Sequence, residues 1–106
     1  MPTVKELFEN MPEAFNKEEA AGMNAVCQYD ITGDGGGKWH AEIKDGKLAV
    51  VEGGHKSPSL TVTVRAEDYV AMAEGTLNGQ QAFLTGKLKI SGDISLAMKL
   101  QSLFRT

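Results

Sequence analysis

The chain has 106 residues and little of what several common classes of protein require. It contains one cysteine, Cys27, so no disulfide bond can form within the chain. Its net charge of −3 at pH 7 gives no general attraction to nucleic acid or to an anionic membrane surface. The N-terminal segment MPTVKELFENMPEAF is partly acidic and has no continuous apolar run, so it predicts neither a signal peptide nor a membrane span. The cytoplasm is the expected location, with transient membrane contact at most.

The sequence also lacks a recognisable catalytic or metal-binding pattern. His40 and His55 are the two histidines, and neither has a metal-ligand partner or a nucleophile at a known spacing. Both are expected at the surface. Cys27, in a predicted strand, is expected to be a small buried residue. We therefore expect no enzyme activity, no metal site and no cofactor.

The glycine-rich residues 33–38 do not change this expectation. A phosphate-binding loop needs Ser or Thr after its lysine, but Trp39 follows Lys38. A calcium loop starting at Asp30 would need Glu at its twelfth position, where the chain has Ala41. The segment is interpreted as a turn between two strands.

Apolar periodicity predicts an α+β fold. A period of two indicates strands, and spacings of three and four indicate helices. The predicted strands are residues 23–31, 38–44, 47–51, 60–64 and 88–90, and the predicted helices begin near Thr3, Glu67, Asn78 and Ile94. The order α-β-β-β-β-α-α-β-α predicts one domain over residues 1–106, with a mostly antiparallel sheet of about five strands covered on one face by helices. Asp45 and Gly46 predict a type I′ turn.

The first helix allows two interpretations. Thr3 and Glu6 form a capping-box pattern, and Pro12 is expected to end this helix and to start another turn. Apolar residues recur on one face at helical spacing, including Val4 and Phe8. This face could belong to a mobile lid over a pocket or to a helix fixed on the sheet.

Residues 82–104 are the most informative segment. Gly86 and Gly92 separate the end of one helix, a short strand and a terminal helix. Within the strand, apolar Leu88 and Ile90 alternate with polar residues, and after Gly92 the spacing becomes helical.

This segment resembles the sterol carrier protein 2 (SCP2) family of nonspecific lipid-transfer domains. The run FLTGKLKISGD is followed by LAMKLQSLF, and the matching residues are Gly86, Lys87, Leu88, Lys89, Ile90, Gly92, Asp93, Lys99 and Leu100. The order of the upstream elements fits the same family over nearly the whole chain. The resemblance implies an SCP2-like fold, an apolar tunnel between the sheet and its helices, and a lipid that is bound rather than transformed.

The terminal helix carries more apolar surface than one contact with a sheet requires. One stripe comprises Leu96, Ala97, Leu100, Leu103 and Phe104. Ile94 and Met98 lie outside it and need another neighbour: a helix, a protein partner or a lipid. The sequence alone favours core filling as the role of the five methionines, whereas the family resemblance favours a flexible apolar lining.

These observations give a set of candidate ligand-binding residues whose role is apolar burial. The set is Phe83, Leu84, Leu88, Ile90, Met98 and Leu100, joined by Met23, Trp39, Tyr69 and Met72. The expected ligand is a fatty acid, a fatty acyl-CoA or a sterol-like lipid. The alternative is a non-catalytic interaction domain that uses the apolar flank of the last helix, with a second copy or a companion acyl-processing enzyme as partner.

Basic residues are concentrated in the last third of the chain, at Lys87, Lys89, Lys99 and Arg105. They are expected to be solvated. Contact of Lys87 or Lys89 with an anionic headgroup at the rim of the site is the alternative.

Overall fold

The structure is a computed structural model that describes residues 2–104, apart from the side chain of Gln101. Arg105, part of the predicted basic bias, lies outside these residues. The helices are α1 (Val4–Glu9), α2 (Met11–Ala14), α3 (Ala66–Ala73), α4 (Gly79–Leu84) and α5 (Ile94–Leu103). The strands are β1 (Asn24–Thr32), β2 (Gly37–Lys44), β3 (Lys47–Glu52), β4 (Leu60–Arg65) and β5 (Leu88–Gly92).

The strands form one sheet in the order β3-β2-β1-β4-β5. Three of its four strand pairs are antiparallel, and one of the two inner pairs, β1 with β4, is parallel. The predicted α+β fold with a mostly antiparallel five-stranded sheet is therefore confirmed. The predicted N-terminal helix is divided into α1 and α2, because Pro12 stands at the start of the second helical turn.

Local sequence signals account for the ends of several elements. The Thr3 hydroxyl accepts a hydrogen bond from the Glu6 N–H, and the Glu6 carboxylate accepts one from the Thr3 N–H, which completes the predicted capping box. These bonds from the Thr3 backbone and side chain lower the pKa of Glu6. Asp45 and Gly46 have φ angles of 51° and 75°, as a type I′ turn requires.

The two faces of the sheet differ sharply. One face carries apolar side chains from β1, β2, β4 and β5, and the helices contribute Phe8, Ala66, Ala82 and Leu96 to the same buried cluster. The opposite face is polar and is crossed by the segment between β3 and β4. Hydrogen bonds attach this segment to the sheet, from the Gly53 N–H to the Lys38 carbonyl and from the Ser59 N–H to the Val26 carbonyl.

The crossing segment buries His40, so the expectation of a surface histidine is wrong at this position. His40 is 7% exposed, and its Nδ1 lies 2.8 Å from the Gly53 carbonyl oxygen. His55, within the segment, accepts a hydrogen bond at Nδ1 from the Ser57 N–H, and its Nε2 lies 3.4 Å from a Glu42 oxygen. The two histidines hold the segment against the sheet.

Candidate functional site

The helix-covered face of the sheet has two ends of different character. At one end, which we call the aromatic end, four rings meet: Phe8, Tyr29, Trp39 and Tyr69. Phe8 is fully buried and lies between Trp39 and Tyr69, nearly parallel to both, with ring centroids 4.9 Å and 5.2 Å away. Tyr29 meets the edge of Phe8 at 5.2 Å. Because α1 supplies Phe8 to the core, the structure favours the fixed helix over the lid.

Burial at this end also determines the acidity of its side chains. Burial, with a smaller effect of Tyr69 and Cys27, raises the pKa of Tyr29 well above its ordinary value. Burial raises the pKa of Tyr69 in the same way. It raises the pKa of the Cys27 thiol to about 11, so the thiol is protonated at neutral pH and is a poor nucleophile.

The other end, which we call the β5 end, consists of α4, β5 and α5. Ala82 of α4 is fully buried, and Leu88 and Leu96 are 9% and 7% exposed. Gly86 follows α4 with φ 80°, and the Lys87 N–H bonds to the Ala82 carbonyl, so the chain reverses into β5 within three residues. At the start of α5, the Asp93 carboxylate accepts a hydrogen bond from the Leu96 N–H.

The predicted ligand-binding residues fall into two groups in the structure. The first group belongs to the main apolar cluster or packs against it, and comprises Leu88, Ile90, Leu100, Met23, Trp39, Tyr69 and Met72. Phe83, Leu84 and Met98 lie on the surface, with 45%, 75% and 75% exposure. The ligand-binding role of both groups stays a prediction.

The exposed apolar residues are concentrated on the helices of the β5 end. Leu84 is the last residue of α4, and Ile94, 51% exposed, is the first residue of α5. Met98 follows Ile94 by one helical turn. The two helices therefore carry exposed apolar side chains directly before and directly after β5, while Ala82 and Leu96 face the core.

Sequence reasoning missed the main occupant of the aromatic end. Trp39 and Tyr69 were assigned to the ligand, but Phe8 lies between them. Phe8 stands on the apolar face of α1 at helical spacing, and this spacing was the one signal that could have indicated its burial. The helical spacing in the sequence does not indicate which residues of the sheet the helix covers.

The surface has a concavity at one end of the sheet and another on its polar face, and neither lies in the apolar layer between the sheet and the helices. The first has a volume of about 400 Å³, and its lining includes the cationic residues Arg65, Lys87 and Lys89. The second has a volume of about 290 Å³ and lies on the polar face, beside Glu42 and His55. Within residues 2–104, no helix is both long enough and apolar enough to span a membrane.

Comparison with known proteins places this arrangement in one family. The model of the SCP-2 sterol transfer family matches residues 4–105. The chain is 36% identical over 106 residues to hydroxysteroid dehydrogenase-like protein 2 of Rattus norvegicus and 34% identical over 103 residues to sterol carrier protein 2 of Homo sapiens. Each match covers 94% of the chain but only 19% and 18% of the relative, so the chain spans about a fifth of either protein.

A solved structure resembles the chain over its whole length. The solution structure of palmitated SCP2L2 from Aedes aegypti has a TM-score of 0.79 and 30% identity, and the match covers 99% of this chain and 96% of that one. The sequence match to residues 4–105 and the shared fold agree: the chain belongs to the SCP-2 sterol transfer family.

Proposed function

We propose that the chain binds a long-chain apolar ligand at the β5 end and carries it without transforming it. The ligand would be a fatty acid, a fatty acyl-CoA or a sterol-like lipid. One observation carries the proposal: Leu84 and Met98 are each 75% exposed. They lie on α4 and α5, whose inner residues Ala82 and Leu96 are buried. A lipid that enters at the edge of these helices would contact the outer apolar side chains first and the inner ones once it lies against β5.

The β5 end suits a ligand better than the aromatic end does. Phe8 already fills the space between Trp39 and Tyr69, and a ligand there would have to displace a fully buried ring. At the β5 end the chain leaves large apolar side chains in water, and each would gain about 1.5–3 kcal/mol on burial. Family membership supports lipid binding, and the Aedes aegypti neighbour is palmitated.

Ligand entry requires a change in the packing of the helices. A ligand pocket of about 300 Å³ would cost roughly 7 kcal/mol if it were empty and dry. This cost approaches the whole stability of a typical domain, about 5–15 kcal/mol. A closed apolar layer that opens as the lipid enters avoids most of this cost, and we propose that α4 and α5 move away from β5 during binding.

Native mass spectrometry and palmitate titration test the proposal. The purified chain should carry a lipid or should gain thermal stability on addition of palmitate. Met98→Glu should weaken palmitate binding by about tenfold or more, since it places a charge where apolar contact is required. Val51→Glu is the matched control, because Val51 is an exposed apolar residue of β3, the strand at the opposite edge of the sheet. A ligand-free protein that palmitate does not stabilise would contradict the proposal.

The same exposed residues favour a second candidate function, a non-catalytic interaction domain. In this case the flank of α5 that carries Ile94 and Met98 would bind a second copy of the chain or a companion acyl-processing enzyme. Sedimentation velocity over a range of concentrations separates the two functions. A dimer that Met98→Glu dissociates, in protein that binds no palmitate, would replace the carrier proposal. Action in the cytoplasm is part of the carrier proposal and can be tested by fractionation.

A further inference from the structure

The 400 Å³ concavity lies at one end of the sheet, outside the apolar layer. The parallel strands β1 and β4 both end there, at the paired residues Thr32 and Arg65. The turn between α4 and β5 forms the adjoining wall. The lining residues are Thr32, Thr63, Val64, Arg65, Thr85, Gly86, Lys87 and Lys89.

The lining contains three cationic side chains and no acidic one. Arg65 is held in place from outside the concavity, because its Nη1 lies 3.0 Å from a Glu67 oxygen and its Nε lies 3.2 Å from a buried Asp68 oxygen. Lys87 and Lys89 are exposed and form no ion pair among residues 2–104. Two positive charges are therefore available to a ligand, beside a guanidinium that two carboxylates hold in position.

Hydroxyl groups add neutral donors to the same lining. Thr63 pairs with Lys89 across the β4–β5 ladder, and Thr32 pairs with Arg65. Neither threonine hydroxyl has a hydrogen-bond partner within residues 2–104. The Thr85 hydroxyl is already used, since it donates to the Gln81 carbonyl at 2.9 Å. Thr32 and Thr63 are free to donate to a ligand.

We propose that this concavity binds a phosphate-type anion. Lys87 and Lys89 would neutralise its charge, Arg65 would contribute an oriented guanidinium, and the Thr32 and Thr63 hydroxyls would donate hydrogen bonds to its oxygens. A phosphate or diphosphate group offers several strong acceptor oxygens and about two negative charges, which matches this donor set. The site does not depend on the carrier proposal, because its polar residues project away from the apolar layer.

Protection of an exposed edge explains only part of this arrangement. β5 is an edge strand, and lysines on such a strand prevent pairing with other chains. This role needs Lys87 and Lys89, but it needs neither the clamped Arg65 nor unpaired hydroxyls on β1 and β4. These groups converge on one concavity, as a binding site requires.

The phosphate could belong to the headgroup of the carried lipid or to a separate small molecule. The register of the sheet makes the first source feasible. Val64 lines the concavity and pairs with Leu88, and both residues belong to the apolar cluster. An anionic headgroup in the concavity would therefore lie across the sheet from the side chains of Val64 and Leu88, and the lipid chain would reach the apolar layer around the end of β4 and β5.

Calorimetric titration with inorganic pyrophosphate at low salt tests the site. The unmodified chain should bind with a dissociation constant of about 1 mM or lower, and binding should weaken as salt rises. The double variant Lys87→Gln/Lys89→Gln should lose about tenfold or more in affinity. The control Lys47→Gln/Lys99→Gln removes the same charge from exposed lysines outside the concavity. No binding by the unmodified chain, or an equal loss in the control, would overturn the proposal.

Titration with palmitoyl-CoA and palmitate identifies the source of the phosphate. If the Lys87→Gln/Lys89→Gln variant loses affinity for palmitoyl-CoA but not for palmitate, the site binds the headgroup of the carried lipid. If only pyrophosphate binding falls, the site binds a separate phosphate compound. Both results support the site. Pyrophosphate binding without any palmitate binding would contradict the carrier proposal alone.

Discussion

The aromatic end and the β5 end use similar apolar residues for different purposes. At the aromatic end, Phe8, Tyr29, Trp39 and Tyr69 contact one another, and the chain covers its own apolar surface. At the β5 end, α4 and α5 bury one side and leave large apolar side chains on the other. The difference indicates that the aromatic end stabilises the fold, and it supports our proposal that the β5 end binds a ligand.

The largest expected effect is the loss of the ring at the centre of the aromatic end. Phe8→Ala should lower the free energy of unfolding by about 3–5 kcal/mol, because it removes a fully buried ring and leaves a cavity between Trp39 and Tyr69. Urea denaturation measures this loss. Phe83→Ala is the matched control at the β5 end, where the ring is 45% exposed, and should cost less than about 1.5 kcal/mol. Equal losses would remove the distinction between the two ends.

A smaller effect is expected at the junction of β5 and α5. Gly92 has φ 107°, and a β-carbon added there would lie 2.6 Å from the Ser59 carbonyl oxygen. Gly92→Ala should therefore cost about 2–4 kcal/mol, from strain together with steric overlap. Gly75→Ala, at φ 82° with open space around it, should cost only about 1–2 kcal/mol from strain. If thermal denaturation gives both variants the same stability, the junction is less constrained than its geometry implies.

The smallest effect is the alkaline response of the aromatic end. Tyr29 and Tyr69 ionise in the unfolded chain near their ordinary pKa of 10, whereas burial raises both folded pKa values. Above pH 10 the unfolded chain releases protons that the folded chain retains, so stability falls as pH rises, by up to about 1.4 kcal/mol per pH unit for each tyrosine. Below pH 10 this contribution does not change.

Absorbance at 295 nm, which detects ionised tyrosine, checks this response. The signal should appear together with loss of secondary structure, since both tyrosines of the chain are in the core. Tyr69→Phe keeps the stacked ring and should reduce the slope of stability against pH by about half above pH 11, where the buried Cys27 thiol, with its pKa of about 11, no longer contributes. Ionisation near pH 10 in a fully folded chain would show that the aromatic end is open to water.

The order of elements was predictable from the sequence because each signal is local. The strands follow from alternation, the turn at Asp45 and Gly46 from its dipeptide, and the stop of α4 from Gly86. Their predicted ends lie within about two residues of the structure. The parallel pairing of β1 with β4 has no such local signal.

The candidate site was less predictable, because burial depends on contacts between distant residues. Helical spacing correctly placed Met98 outside the stripe that α5 buries, but it could not show that Phe8 occupies the space beside Trp39. His40 stands on the polar face of β2, as alternation predicts, yet residues 53–59 cross this face and bury it. The anion site combines Thr32 with Arg65 and Lys89, which are far apart in the sequence.

The parallel pairing of β1 with β4 has a consequence for the folding pathway. Cys27 pairs with Leu60, so β1 and β4 meet only after a loop of more than thirty residues has closed. The hairpin of β1 with β2 needs only the four residues between them. Local hairpins form within microseconds, whereas contacts between distant residues carry a larger entropic cost of loop closure. We therefore expect the β1-β2-β3 meander to form first, and the rate of folding to be set by the docking of β4 on the exposed edge of β1.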